Sequence, residues 1–175
     1  VLPTIVWLVS GMSPFTFIKG ILQPLFTALL TSSSATTIPV SMIAAEKELG
    51  VDRAKASFIL PLGATANMDG TALFEGIAAI YLAYMFGIDL GSTEIITVFL
   101  ISMLSSIGAP GMPSGSMAGM QLVLLAVGIP LEAIALLLLI ERPLDTFRTA
   151  VNVEGDLAGC LVVEHFMSGE EKATS

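Results

Sequence analysis

The chain has 175 residues, 54% hydrophobic and 13% charged, with 15 acidic and 7 basic side chains and a net charge of −8. Soluble domains carry about 25% charged residues, so the composition excludes an ordinary soluble domain and points to an integral membrane protein. Much of the acid lies in loops and in the tail (Glu170, Glu171), which does not suggest a nucleic-acid partner. Cys160 is alone and makes no intrachain disulfide. One cysteine with one histidine, His165, makes no metal site. No signal peptide is visible and residue 1 is Val, so the sequence reads as a piece of something longer that starts inside a hydrophobic segment.

In chain order, the residues mark five units and a tail. Residues 1–13 begin with Val1 to Val9, apolar and too short to span a bilayer. Residues 14–50 form an apolar unit interrupted by the run from Thr31 to Thr37 and followed by Pro39. Residues 53–88 contain one long apolar segment from Phe58 to Ile88. Residues 94–129 are again apolar, interrupted by the Gly/Pro/Ser run from Gly108 to Ser116. Residues 131–166 form a last apolar helix with a polar stripe, and 167–175 are the tail.

The second and fourth units are each two halves too short to span, since a span needs about 20 residues. Two such halves joined by a Ser/Thr or Gly/Pro break predict re-entrant hairpins whose tips stop near mid-membrane. Exposed backbone at that depth is tolerated only where it lines a protein cavity. Paired broken segments point to a transporter binding site. The expected fold class is therefore all-α integral membrane, with two re-entrant helical hairpins, an unwound span and a polar-striped C-terminal span. Lys19, Lys47, Arg53, Lys55 and Lys172 lie beside the first hairpin's ends or in the tail, and the loop from Asp89 to Glu94 has no cation. This predicts that the first hairpin opens to the cytoplasm, the second opens outward and the C-terminus is cytoplasmic. Arg142 is the exception to that pattern.

Glu141, Asp145, Arg148, Asn152 and Asp156 follow one another at spacings of 4, 3, 4 and 4, so they share one helical face. Ionisable groups at bilayer depth cost roughly 2.5–3.5 kcal/mol each on insertion scales. They are expected to face a bundle interior and serve an ion or substrate path. Arg148 is a planar fork suited to a carboxylate, Asp145 can accept an ammonium, and Asn152 can hydrogen-bond a carboxylate. Pro143 is expected to kink this helix near Leu139 to Leu144.

Asn67-Met68-Asp69-Gly70-Thr71 sits inside an apolar segment, with its Asn and Asp unable to share one helical face. Unwinding there would free carbonyls, and carbonyls with carboxylates suit a hard cation such as Na⁺. Gly63 and Gly70 flank the motif and ease the break. Ser32, Ser33 and Ser34 offer hydroxyls and N–H groups at a hairpin tip, before a half-helix whose positive end suits an anion. Glu75 is a lone carboxylate in an apolar setting and a candidate for protonation.

Four motifs, Thr31-Ser-Ser-Ser-Ala-Thr-Thr-Ile-Pro, Leu62-Gly-Ala-Thr-Ala-Asn-Met-Asp-Gly-Thr-Ala-Leu, Ser106-Ile-Gly-Ala-Pro-Gly-Met-Pro and Arg148-Thr-Ala-Val-Asn-Val-Glu-Gly-Asp, occur in order over nearly the whole chain. Together they resemble the sodium-coupled glutamate/aspartate transporter family, the dicarboxylate/amino acid:cation symporters that include the excitatory amino acid transporters. The resemblance makes the units the end of span 6, hairpin 1, span 7, hairpin 2 and span 8 of a transport domain. It implies an elevator mechanism against a homotrimeric scaffold in the cell membrane, with hairpin 2 as outer gate.

By the same resemblance Arg148 holds the substrate's side-chain carboxylate, Asp145 its amino group and Asn152 its main-chain carboxylate. Thr71 and Thr149 assist, with backbone from Ser33 and Met112. One Na⁺ site would use Gly63, Asn67, Asn152 and Asp156. A second would use backbone of Thr65, Ser106, Ile107 and Ala109. A third would use Asn67 and Asp69 with an earlier span. Glu75 matches a position associated with proton coupling, which adds H⁺ co-transport to the expectations. Pro110 and Ser116 stand where the family pattern has small residues, and Glu141-Arg142-Pro143 where it has Asp followed by apolar residues.

The sequence thus predicts no enzyme but a secondary active transporter, a sodium-coupled symporter of acidic amino acids, with Na⁺ co-transported, the lipid bilayer as its medium and no nucleic acid. Alternatives are a non-transporting or channel-like membrane fragment, or a neutral amino acid or dicarboxylate carrier of the same family. A membrane serine hydrolase fits poorly, because Ser114 and Ser116 lie in no G-x-S-x-G elbow and the only His is near the tail.

Overall fold

The computed structural model describes the backbone of residues 1–174 and the side chains of 1–168. The Glu170, Glu171 and Lys172 side chains, on which part of the tail and orientation reading rests, lie outside the described residues. Every regular element described is helical: α1 (Leu2–Ser10), α2 (Pro14–Thr31), α3 (Ser34–Lys47), α4 (Arg53–Ala66), α5 (Asp69–Met85), α6 (Ser92–Ser106), α7 (Ser116–Ala126), a 3₁₀ turn (Leu131–Ala133) and α8 (Ile134–Thr174).

The breaks fall where the residues disfavour continuation. Serine 32 ends α2 in a left-handed conformation at φ 50°, and Ser33 then caps α3, its Oγ accepting the Thr36 N–H at 3.2 Å. That cap satisfies one of the donors a helix start leaves unpaired. Between α4 and α5, Asn67 and Met68 have non-helical backbone (φ −113° and −108°). The nine-residue link from α6 to α7 is the Gly/Pro/Ser run from Ile107 to Gly115. α2 packs against α3 and α6 against α7, so each broken unit folds back on itself as a helical hairpin.

α8 is the central element and packs against α1 to α5 and α7. Two apolar clusters hold the bundle. One gathers Val6, Phe17, Ile21, Leu60, Leu157 and Leu161 from α1, α2, α4 and α8. The other gathers Leu82, Val98, Met120, Val123, Leu124 and Leu137 from α5 to α8. The polar stripe of α8 lies between them, which is how one helix serves two cores and a buried polar layer. α8 remains helical through Pro143, and Thr146 Oγ1 donates to the Pro143 carbonyl at 2.8 Å.

No described helix is both long and apolar enough to cross a membrane. The breaks leave α2 to α7 at 11–18 residues, and the stripe dilutes the apolar run of α8.

Far from the stripe, Glu164 ties α8 to the start of α4. Its carboxylate accepts the Asp52 N–H at 2.9 Å and Lys55 Nζ at 3.0 Å. Asp52 also caps α4, accepting the Ala54 N–H at 2.9 Å. Asp52→Ala is expected to cost about 1 kcal/mol, the usual loss for a missing N-cap, read as a lowered thermal midpoint with helix content unchanged.

Candidate functional site

Five members of the α8 stripe are buried, with Glu141, Asp145 and Asn152 at 3% exposure and Arg148 and Asp156 at 5%. Arg148 Nη2 donates to Asp145 Oδ1 and to Glu141 Oε1, the latter at 3.3 Å. The guanidinium carbon stands 4.5 Å from the centre of the Phe74 ring, within cation–π range. Nη1 is buried without a partner. One cation therefore faces two carboxylates in a low-dielectric layer, and removal of Arg148 leaves both of them without a cation.

The unwound Asn67-Met68 segment is held to the same face of α8. Asn152 Oδ1 accepts the Gly70 N–H at 2.8 Å and the Thr71 N–H at 3.4 Å, and Asn152 Nδ2 donates to Thr71 Oγ1 at 3.2 Å. These bonds satisfy the start of α5, where helical partners are lacking. Gly70 is required: a Cβ there would run into the Arg148 carbonyl oxygen. Asn67 Nδ2 donates to Asp156 Oδ1 at 3.1 Å. A Cβ at Gly63 would lie 2.5 Å from Asp156 Oδ1, and one at Gly155 would lie 2.6 Å from Asn67 Nδ2 and 2.9 Å from Asp69 Oδ2. Gly63, Asn67, Asp69 and Asp156 thus converge beside the end of α4, where the Gly63 carbonyl accepts the Asn67 N–H at 2.8 Å. The donor set is carboxylate, amide and carbonyl oxygen, which suits a hard monovalent or divalent cation. Among the described residues no group of three or more His, Cys, Asp or Glu could hold a metal ion.

The two hairpin tips meet above the stripe. Ser33 Oγ donates to the Gly111 carbonyl at 2.8 Å, and the Ala35 N–H reaches the same oxygen at 3.1 Å. The second tip is anchored to α8 through Ser114, whose N–H donates to Asp145 Oδ2 at 3.0 Å and whose Oγ donates to Glu141 Oε2 at 3.2 Å. Beneath the tips lies a cavity of about 10 Å³, lined by Ser32, Ser34, Met68, Thr71, Ala109 to Met112, Gly115, Ser116, Asp145, Arg148, Thr149 and Asn152. That volume is about what one water requires.

Thr71, Met112, Asp145, Arg148, Thr149 and Asn152, read from the sequence as substrate contacts, all line this cavity. Ser33 does not line it; its neighbours Ser32 and Ser34 do, while its hydroxyl is committed to Gly111. Thr149 Oγ1 is committed to the Asp145 carbonyl at 2.8 Å. Of the first sodium set, Gly63, Asn67 and Asp156 come together, whereas the Asn152 side chain is turned to Gly70 and Thr71. In the second set the Ala109 N–H donates to the Ser106 carbonyl at 3.2 Å. Thr65 Oγ1 bonds within its own helix to Leu62, and Ile107 is exposed. Asn67 and Asp69 of the third set both face Gly155.

Glu75 is wholly buried, accepts a hydrogen bond from Ser105 Oγ, and has Oε1 unpartnered. A Cβ at Gly119 would collide with that oxygen, so α7 carries glycine where it crosses Glu75. Glu75 is thereby tied to both arms of the second hairpin rather than to the cavity wall. The sequence pattern assigns Glu141 no role beyond the stripe, and Ser114 enters it only in setting aside a serine hydrolase. Periodicity marked Glu141 as part of the stripe, but nothing local announced its bond to Ser114, 27 residues away.

The sequence model of the sodium:dicarboxylate symporter family matches residues 1–166. Excitatory amino acid transporter 2 of Homo sapiens is 47% identical over 169 residues, covering 97% of this chain and 29% of that protein. Excitatory amino acid transporter 4 of Rattus norvegicus is 45% identical over 170 residues, 97% of this chain and 30% of that protein. An excitatory amino acid transporter of Onchocerca volvulus is 42% identical over 169 residues, 97% of this chain and 34% of that protein. The chain therefore spans about a third of the length of the curated relatives it matches, and those relatives are, by name, transporters rather than enzymes. With the family match running through both hairpins, the unwound segment and the buried stripe, the chain belongs to the sodium:dicarboxylate symporter family.

Proposed function

We propose that this chain forms the substrate-binding part of a sodium-coupled symporter for acidic amino acids in the cell membrane. The observation that carries the reading is the pairing of Arg148 with Asp145 in one buried cavity roofed by two hairpin tips. A dicarboxylic amino acid presents a carboxylate and an ammonium, the two charges complementary to this pair. Its side-chain carboxylate takes Arg148 from Asp145, and its ammonium takes Asp145 from Arg148, so each buried charge exchanges one partner for another and none is left bare. Asn152, Thr71 and Thr149 complete the site, with backbone of the tips around Ser33 and Met112. At about 10 Å³ the cavity admits such a ligand only when the second tip lifts.

The co-transported Na⁺ takes the oxygen-rich convergence of Gly63, Asn67, Asp69 and Asp156, with Asn152 nearby, and a second ion takes backbone of Thr65, Ser106, Ile107 and Ala109. Ion binding beside the unwound segment stiffens the same backbone that Asn152 holds, which couples ion to substrate. Proton co-transport through Glu75 belongs to the same reading. So do the elevator motion, the trimeric scaffold, the cytoplasmic C-terminus and the division into hairpin 1 (14–50), span 7 (53–88), hairpin 2 (94–129) and span 8 (131–166). Sodium-driven aspartate uptake into liposomes tests the proposal. Uptake that collapses when choline replaces Na⁺ supports it; binding without uptake places the chain with non-transporting fragments.

A further inference from the structure

The tip of the second hairpin carries contacts that substrate recognition does not require. Ser114 is a non-glycine residue at φ 62°, a left-handed conformation that side chains other than glycine adopt only when held there. What holds it is a pair of hydrogen bonds to two different carboxylates, its N–H to Asp145 and its hydroxyl to Glu141. Each of those carboxylates uses its other oxygen on Arg148 Nη2. Ser114, on the tip of the second hairpin, and Arg148, on α8, thus share the same two carboxylates, each bound through a different oxygen.

We propose that Ser114 is a latch through which the second hairpin tip senses the arrangement of Glu141 and Asp145, with Glu141 as the positioning residue that keeps the latch engaged. When a ligand carboxylate draws Arg148 from Asp145, that aspartate keeps its orientation only if an ammonium takes the vacated place. Glu141 meanwhile retains both Ser114 and Arg148 and spans the exchange. A ligand with both groups leaves two acceptors facing Ser114, and the tip, lifted to admit it, settles back onto Glu141 and Asp145. A dicarboxylate without an ammonium leaves Asp145 without a cation, and the tip is released. Selectivity for amino acids over plain dicarboxylates is then exerted at the roof as well as at the floor. The ligand part of this inference rests on the function proposed above; the latch itself rests on the contacts.

Amide hydrogen exchange of residues 109–117, in the full chain in lipid nanodiscs and first without ligand, tests the latch. Ser114→Ala and Glu141→Gln are each expected to speed exchange there about tenfold, the effect of a lost hydrogen bond to a charged group. Ser114→Gly, which removes the hydroxyl and relieves the left-handed strain, is expected to do so as well. The double variant Ser114→Ala/Glu141→Gln is expected to match the faster single variant, because both changes remove one link. Unchanged exchange in Ser114→Ala and Ser114→Gly overturns the latch, as do effects that multiply in the double variant. Exchange in α8 serves as the control for folding. In the wild type, added aspartate is expected to slow exchange of the tip and succinate to leave it unslowed. Equal slowing by both overturns the selectivity role. Failure of aspartate to bind at all refutes the functional reading, while the ligand-free exchange still decides the latch.

Discussion

Arg148→Cys is expected to abolish aspartate binding while leaving a neutral amino acid such as serine able to bind. Loss of one partner of a buried charge pair costs about 2–5 kcal/mol, so the aspartate Kd rises by a factor of more than about 30. A neutral amino acid makes no demand on the guanidinium and keeps its ammonium on Asp145. The variant also strips the cation from Glu141 and Asp145, both 3% exposed. Two neighbouring buried carboxylates without Arg148 destabilise the native state on the order of 3–5 kcal/mol. Calorimetric titration with aspartate and serine reads the selectivity, and thermal unfolding reads the stability. Equal loss of both ligands in a folded variant contradicts the role given to Arg148.

Asp156→Ala is expected to erase the sodium dependence of aspartate binding. Asp156 is buried, accepts Asn67 Nδ2 at 3.1 Å and lies against Gly63. It therefore supplies, with Asp69, a carboxylate of the oxygen cluster beside the unwound segment. Coupling between two ligands is worth typically about 1–3 kcal/mol, so aspartate affinity in sodium falls toward its value in choline, where the two proteins differ little. A sodium titration at fixed aspartate checks this, and a sodium midpoint that matches the wild type contradicts it. Gly63→Ala would bring a Cβ to 2.5 Å from Oδ1 of the same carboxylate and is expected to weaken sodium dependence in the same direction.

The helical class and the break points were legible in the sequence because their causes are local. A serine run, an Asn-Met-Asp-Gly motif and a Gly/Pro run interrupt apolar segments, and α2/α3, α4/α5 and α6/α7 separate there. The polar stripe was legible because 3.6-residue periodicity puts its members on one face. What local pattern does not encode is partner choice across long separations. The Asn152 side-chain oxygen accepts the N–H of Gly70, 82 residues away. The Ser33 hydroxyl donates to the carbonyl of Gly111, 78 residues away. Glu141 has no neighbour in sequence that announces Ser114. The reading of bilayer-spanning segments meets described helices of which none is both long and apolar enough to cross. The two are compatible where short half-helices enter from either side and hide their broken backbone inside the bundle.

Aspartate titration of the full chain in lipid nanodiscs, in sodium and then in choline, tests the central claim most directly. Binding in sodium that weakens by about tenfold or more in choline, within the usual range of coupling between sites, with serine and succinate each weaker than aspartate, is the expected result. Equal aspartate affinity in the two salts, or serine binding as tightly as aspartate, contradicts a sodium-coupled site built on Asp145 and Arg148.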